Sequence, residues 1–535
     1  MAPAKKWLAL LLALLMTVSC LAACSSDKTS DGGASDPAPT SSDDTAPDDG
    51  GESTSDRTVT IGVLTANDTH DLVANSEVPR YQRQMIYEHL MNIDPETREV
   101  ECQLAESVEY TDETTLRITL RDDVKFTDGQ ALTSRDVFYS LRDVWAVGNQ
   151  AMYFSCYDWD NSKIVDDRTI ELKFTQPFGP AVTYLAQYDI FCYDDLFGEN
   201  PADADKWYSS PNGTSPYYCV ENVASSYVTY ARKDAADYYG ELPACEKVTY
   251  RYYSESTTMY IDFENGVLDV ACALGSQDAA RVLDGDCPEN TGYSVNSLND
   301  VLMLILPEYS ELFSDESVRK AFAMSVDAES VAVAMYGALF APADSILAST
   351  MPFYKSESVA AYDPEGAKAL LAEAGYPDGV DLRFIVAQDN RVLAEALQGS
   401  LEGGGFRVSV ESYDVPTCIG MWQNSETDFL CKETAGGGYL NDPAQVLNTL
   451  SPTSTLTPAK MENETWVEQF NAALYNTDPA VRQTAYEALQ DYAIETYRCI
   501  PVCERVNMTV WNSGKIAAFP MAIADAPNAR YIQFA

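Results

Sequence analysis

An α/β fold is what this sequence predicts, and two observations carry the prediction. Residues 381–386 and 407–411 read as strands on either side of a helix near 391–401, a βαβ alternation that lays helices on a sheet. The chain is also large and apolar, with 535 residues, 46% hydrophobic content and 33 Tyr. At ~100–200 residues per domain, that is room for about two to four domains and a sizeable core.

The elements follow in order. Lys5 and Lys6 open the chain, and residues 7–16 are ten apolar residues in a row. At about 1.5 Å per residue they fall well short of roughly 30 Å of hydrocarbon, so this start reads as a secretion signal rather than a spanning helix. Residues 25–57 are Ser, Asp, Gly, Thr and Pro with almost no apolar side chain. Such a stretch cannot bury enough surface to fold and reads as a self-repelling tether. Residues 58–64 (TVTIGVL) form a β-branched strand, 67–79 a polar loop and 81–90 a helix. Within 103–141 lie a strand at Thr115–Leu120, a turn at Asp128-Gly129 and a helix with Ser134 as its cap. A further strand is read at 170–174. A helix is expected over 314–339, capped by Ser314. Another runs from Asp363-Pro364, cap and first turn, to Gly375, its terminator. Helices near 462–474 and 479–496 precede a strand at 499–511.

Charge and composition exclude several functions. The net charge is −47, from 82 acids and 35 bases, so nucleic acid and anionic lipid surfaces are repelled and neither is an expected partner. Two histidines, His70 and His89, and no Cys-x-x-Cys leave no basis for a metal site or cofactor. No nucleophile elbow or Walker loop is present. A surface glycosidase using paired acids stays open at this point, because chance acid pairs are everywhere in such a chain. Of 13 cysteines, eleven lie beyond Cys20 and Cys24, an odd number that allows disulfides without fixing their pairing.

Residues 103–141 (QLAESVEYTDETTLRITLRDDVKFTDGQALTSRDVFYSL) resemble, in order and spacing, the signature "LAESWE … TFKLRDGVKFHDGxPLTAEDVVFSL" of the extracellular solute-binding proteins that feed peptide-type ABC importers, family 5. Further stretches are similar to the same family's motifs: 86–90 (IYEHL), 213–217 (GTSPY), 263–270 (FENGVLDV), 315–327 (DESVRKAFAMSVD) and 362–376 (YDPEGAKALLAEAGY). The likeness spans about 58–511. It implies a two-lobed, type II periplasmic-binding-protein-like fold with an extra subdomain. The expected bounds are 58–95 with 206–300 and 498–535 for the first lobe, 96–205 for the insert and 301–497 for the second lobe.

Leu21-Ala22-Ala23-Cys24 is similar to a bacterial lipobox, which implies cleavage after residue 23 and acylation of Cys24. The resemblance also implies a non-enzymatic, monomeric receptor on the outer face of the cytoplasmic membrane. Its partners would be a peptide or related small solute, an ABC permease and its ATPase subunits; a sensor of solute or a binder of a non-peptide ligand is the alternative. Asn75, Ser76 and Glu77 would offer backbone contacts to the solute. Gly438, Tyr439, Asn441 and Asp442 lie in the stretch similar to the family's cleft, and Trp422 and Tyr439 could stack on a ring. Tyr439 stands where peptide binders have an Asp for the ligand ammonium. Asp442 or Glu77 would take that role, or the ligand lacks a free amine.

Overall fold

The computed structural model describes residues 57–64, 70, 79–95, 97–147, 151, 153–433, 441–452, 454, 461–522 and 526–535. Its largest sheet runs in the order Leu430–Glu433, Thr291–Ile305, Cys499–Asn512, Val270–Ala271, Thr58–Val63, Lys247–Tyr252, Tyr227–Arg232, Tyr217–Val223, with Phe340–Pro342 paired to Cys499–Asn512. Only the pairings of Thr58–Val63 with its two neighbours are parallel. A separate antiparallel sheet joins Ala105–Asp112, Thr115–Leu120, Thr169–Lys173 and Lys163–Asp166. The expected βαβ unit forms as Val380–Ala387, the helix Arg391–Gly403 and Phe406–Tyr413, the strands pairing in parallel.

The strand Thr291–Ile305 was not legible in the sequence, whose Gly, Asn and Asp residues break any clean alternation. It runs antiparallel to Cys499–Asn512, with register shifts between Ser297 and Val301 and between Leu302 and Met303. Asn299 takes a positive φ of 52° inside that irregular piece. On one side of it, Met508 and Val510 pack with Met259, Phe263 and Leu268. On the other, Leu302 and Leu304 pack with Phe322 and Phe384. Two cores therefore share one pair of strands, joined where the ladder is least regular.

Local physics explains where helices stop. The predicted helix 81–90 is helical only over Arg80–Gln84. The carbonyls beyond it are taken by other segments: Ile86 O accepts from Ser215 N, Glu88 O from Ile190 N and His89 O from Leu104 N. Gly213 sits so close to that segment that a Cβ would stand 1.9 Å from Ile86 O. The predicted helix 314–339 is two helices, Glu316–Met324 and Ala328–Tyr336. Asp315 caps the first, not Ser314, and Asp327 starts the second by accepting from Ser330 N at 3.1 Å. Thr133 rather than Ser134 caps the helix Ser134–Tyr139; its N–H and hydroxyl both donate to Asp136 Oδ2. The helix Pro364–Glu373 is as expected, with Asp363 accepting from Gly366 N and Gly375 at φ +99° beyond its end.

All eleven described cysteines are free thiols, so the disulfides that the count allowed do not form among them. Cys499 and Cys503 lie four residues apart on one strand, about 13 Å at ~3.3 Å per residue, beyond disulfide reach. Burial pushes the Cys192, Cys245, Cys499 and Cys503 thiols up to about 12, so little thiolate exists for an oxidant to attack. Among the described cysteines Cys102 alone is exposed. Thiol titration of the folded protein is therefore expected to show one fast-reacting group, lost in Cys102→Ser, with the rest reacting on denaturation. Fewer than eleven thiols in denaturant would mean that disulfides form.

Candidate functional site

Two capped helices, Pro443–Asn448 and Glu464–Leu474, build one wall of a cavity, and a third, Pro479–Glu495, packs behind them without lining it. Pro443–Asn448 starts with Pro in its first turn behind Asp442, whose Oδ1 accepts from Ala444 N at 3.0 Å. Glu464–Leu474 is capped by Asn463, and Pro479–Glu495 by Asp478. The facing wall comes from the 153–184 segment, through Tyr153, Ser155, Cys156, Phe178 and Tyr184. The two walls are in direct contact. Gly179 N donates to Leu474 O at 2.9 Å, and a Cβ on Gly179 would stand 2.3 Å from Asn476 O. The cavity, open on one side, is about 430 Å³, within the range of small-molecule sites.

Gln445 Nε2 donates to the Tyr153 hydroxyl at 2.6 Å across the cavity. Gln445 Oε1 and Trp466 Nε1, both on cavity-lining residues, are buried with no partner. Such atoms cost about 1–3 kcal/mol each unless something bonds them. Among the described lining residues none is Asp, Glu, Lys, Arg or His.

The charges lie just outside. Arg482 Nη2 donates to Asp442 Oδ2 at 2.6 Å and its Nε to Ala473 O at 2.9 Å. The Tyr486 hydroxyl donates to Asp442 Oδ1 at 2.9 Å. Burial, then the adjacent Asp442 carboxylate, lifts the Tyr486 phenol far above its usual range, so it stays a donor. Burial acts to lower the Arg482 pKa, but Asp442 and Tyr486 outweigh it and hold the guanidinium charged. Asp442 is 1% exposed, with both oxygens committed inside the protein. Its charge is already matched, which argues against the expected use opposite a ligand ammonium.

Asn441 is buried at φ +50°, with Nδ2 3.5 Å from Arg98 O and Oδ1 unpartnered. Trp422 is half-buried on the helix Val415–Gln423, donates its Nε1–H to Ile385 O at 3.0 Å and does not line the cavity. Asn75, Ser76, Glu77, Gly438, Tyr439 and Cys24 lie outside the described residues. Tyr153, Tyr184 and Trp466 were missed in the sequence because they converge from positions up to about 300 apart; only Gln445, two residues after Pro443, had a motif beside it. No group of three or more His, Cys, Asp and Glu among the described residues is placed to hold a metal, and no described helix is long and apolar enough to cross a membrane.

The model of the bacterial extracellular solute-binding proteins, family 5, matches residues 99–456. The chain belongs to this family. A Brucella ovis protein named for ABC-transporter peptide binding is 24% identical over 427 residues, 75% of this chain and 78% of that one. The nickel-binding periplasmic protein of Escherichia coli is 24% identical over 396 residues, 69% and 73% of the two chains. HbpA2 from Haemophilus parasuis superposes with a TM-score of 0.78 at 19% identity, covering 89% of this chain and all of the other. NikA from Brucella suis, in complex with Fe(III)-EDTA, gives 0.75 at 18%, again over 89% of this chain and all of the other. The two-lobed α/β fold of the family 5 proteins is thus the fold of this chain, and the proteins it resembles are solute-binding proteins rather than enzymes.

Proposed function

We propose that this chain is the lipid-anchored receptor of an ABC importer, which captures a peptide or related small solute between its lobes and hands it to the permease. The observation that carries the reading is the cavity between the 153–184 segment and the helices of 443–475, in a member of a solute-binding family. Residues 58–95, 206–300 and 498–535 form the first lobe in this reading, 96–205 the insert and 301–497 the second lobe. The irregular ladder at 297–303 is the hinge. Asn75, Ser76, Glu77, Gly438 and Tyr439 complete the solute's surroundings, and Asn441 and Asp442 fix the loop that leads to them.

Mass spectrometry of whatever denaturation releases from the purified full chain is expected to show a bound small solute. Adding that solute back should lower the radius of gyration in solution scattering as the lobes close; an unchanged value at saturation counts against closure. Anchoring rests on Leu21-Ala22-Ala23-Cys24 and the polar stretch after it. Cys24→Ala is expected to release the protein into the medium, and a variant that stays with the membrane fraction rejects the lipobox.

A further inference from the structure

We propose that residues 340–356 are a strap that ties the cavity wall behind Asp442 to the irregular ladder at 297–303, so that a change at either end is felt at the other. The inference rests on the hinge reading above and adds how an event at the wall reaches the hinge. The carrying observation is one unbroken run of contacts from ladder to wall. At the ladder end, Phe340–Pro342 pairs with Cys503, Glu504 and Arg505. Ser349 N and its hydroxyl then donate to the two oxygens of Glu504, at 2.6 and 3.0 Å. The Thr350 hydroxyl donates to Asn299 Oδ1 and lies 3.1 Å from Ser297 Oγ. Ser297 and Asn299 belong to the piece where the ladder slips register.

The wall end is held by the helix Pro479–Glu495. Gln490, 0% exposed, donates to Phe353 O and accepts from Lys355 N and the Ser345 hydroxyl, each at 2.9 Å. The Phe353 ring lies 5.0 Å from that of Tyr486, with the Arg482 guanidinium 5.1 Å from its centre. Arg482 and Tyr486 are the side chains that hold Asp442 at the head of the Pro443–Asn448 helix. Between the ends, Ile346, Leu347 and Met351 are buried in one core with Val301 and Met303 of the ladder and Val446 and Leu447 of that helix. A close-packed core passes a displacement on rather than absorbing it. The two ends differ in strength. Ser349 and Thr350 are exposed, so water competes for their hydroxyls, whereas breaking the Gln490 bonds strands buried groups. Phe353 is held at φ +64°, which a bulky residue adopts only where its surroundings impose it. The strap therefore stays with the wall and yields at the ladder.

Hydrogen exchange read by mass spectrometry on the full chain, freed of co-purified solute, tests this. The double variant Ser349→Ala/Thr350→Val removes the hydroxyl bonds at the ladder end. Amides of 444–448, at the far end, are expected to exchange at least about fivefold faster in it, along with those of 297–303. Phe353→Leu removes the ring contact at the wall end and should speed exchange at 297–303 by a similar factor, because coupling between two sites is reciprocal. Thr350→Ser keeps the hydroxyl and should exchange at the parental rate at both ends. Amides of 380–413 should be unchanged in all three variants. Faster exchange confined to the mutated end overturns the strap. So does a rise that includes 380–413, which is general unfolding. The outcome separates from that of lobe closure. Remote exchange with no fall in radius of gyration on adding back the released solute keeps the strap and rejects closure. A fall in radius with only local exchange keeps closure and rejects the strap.

Discussion

Arg482→Met is expected to cost about 3–5 kcal/mol of folding stability, because it leaves the Asp442 carboxylate buried without its cation. The two side chains are 8% and 1% exposed, so water cannot replace the lost partner. Tyr486 and Ala444 N still donate to Oδ1, which places the loss at Oδ2. Asp442→Asn keeps an acceptor for Ala444 N but strands the guanidinium, and should cost a similar amount. The double variant has neither an orphan anion nor an orphan cation. It should be more stable than the sum of the two losses predicts, by about 1–3 kcal/mol. Denaturant unfolding of the four proteins measures this. Single losses below about 1 kcal/mol, or strict additivity, would show that the pair is not the buried unit described. The helix behind Asp442 carries Ala444, Gln445 and Asn448 into the cavity wall, so solute affinity should fall in the single variants even where they remain folded.

Much of the fold was legible because short-range chemistry decided it. Asp363, Pro364 and Gly375 fix the start and end of a helix whatever surrounds it, and they sit as expected. The Asp128-Gly129 turn is equally local, with Gly129 at φ +88°. Errors arose where a distant segment competed for backbone groups. Residues 86–90 carry a helical pattern, but their carbonyls serve the 104, 190 and 215 strands and loops. The long strand Thr291–Ile305 is held by its neighbours rather than by its own propensity. The site was the least legible part. The motif residue Asp442 is buried and bonded to Ala444 N and Arg482, and neither those bonds nor the missing partners of Trp466 Nε1 and Gln445 Oε1 appear until the chain is folded. Sequence spacing cannot report that an indole N–H lacks a partner.

Acidification from pH 6.5 to 4 is expected to remove about 3 kcal/mol of stability through His70 alone. The ring is fully buried, with Nδ1 3.1 Å from Trp207 O and Nε2 2.7 Å from the Tyr230 hydroxyl. A carbonyl can only accept, so Nδ1 carries the proton and donates, leaving Nε2 to accept from Tyr230 O–H. This neutral tautomer is saturated, and among the described residues no anion is placed against a second proton there. Burial accordingly lowers the His70 pKa from 6.5 to about 4, opposed only in part by the Trp207 carbonyl. The unfolded chain takes up that proton near 6.5 and the folded chain only near 4, so between them the unfolded state holds more protons. Stability is then complete above 6.5 and falls as the pH drops toward 4, at about 1.4 kcal/mol per pH unit. His89 adds in the same direction, since burial lowers its pKa despite the Asp189 carboxylate 3.1 Å away. His70→Gln should be less stable than the parent at pH 7.5, by about 1–3 kcal/mol for the altered hydrogen bonds. It should lose about 3 kcal/mol less on going to pH 4, so the two stability curves converge or cross. Carboxylates that titrate over the same range are common to both proteins and cancel in the comparison. Parallel curves in urea unfolding at pH 7.5, 6, 5 and 4 would show that His70 already carries its proton in the folded state.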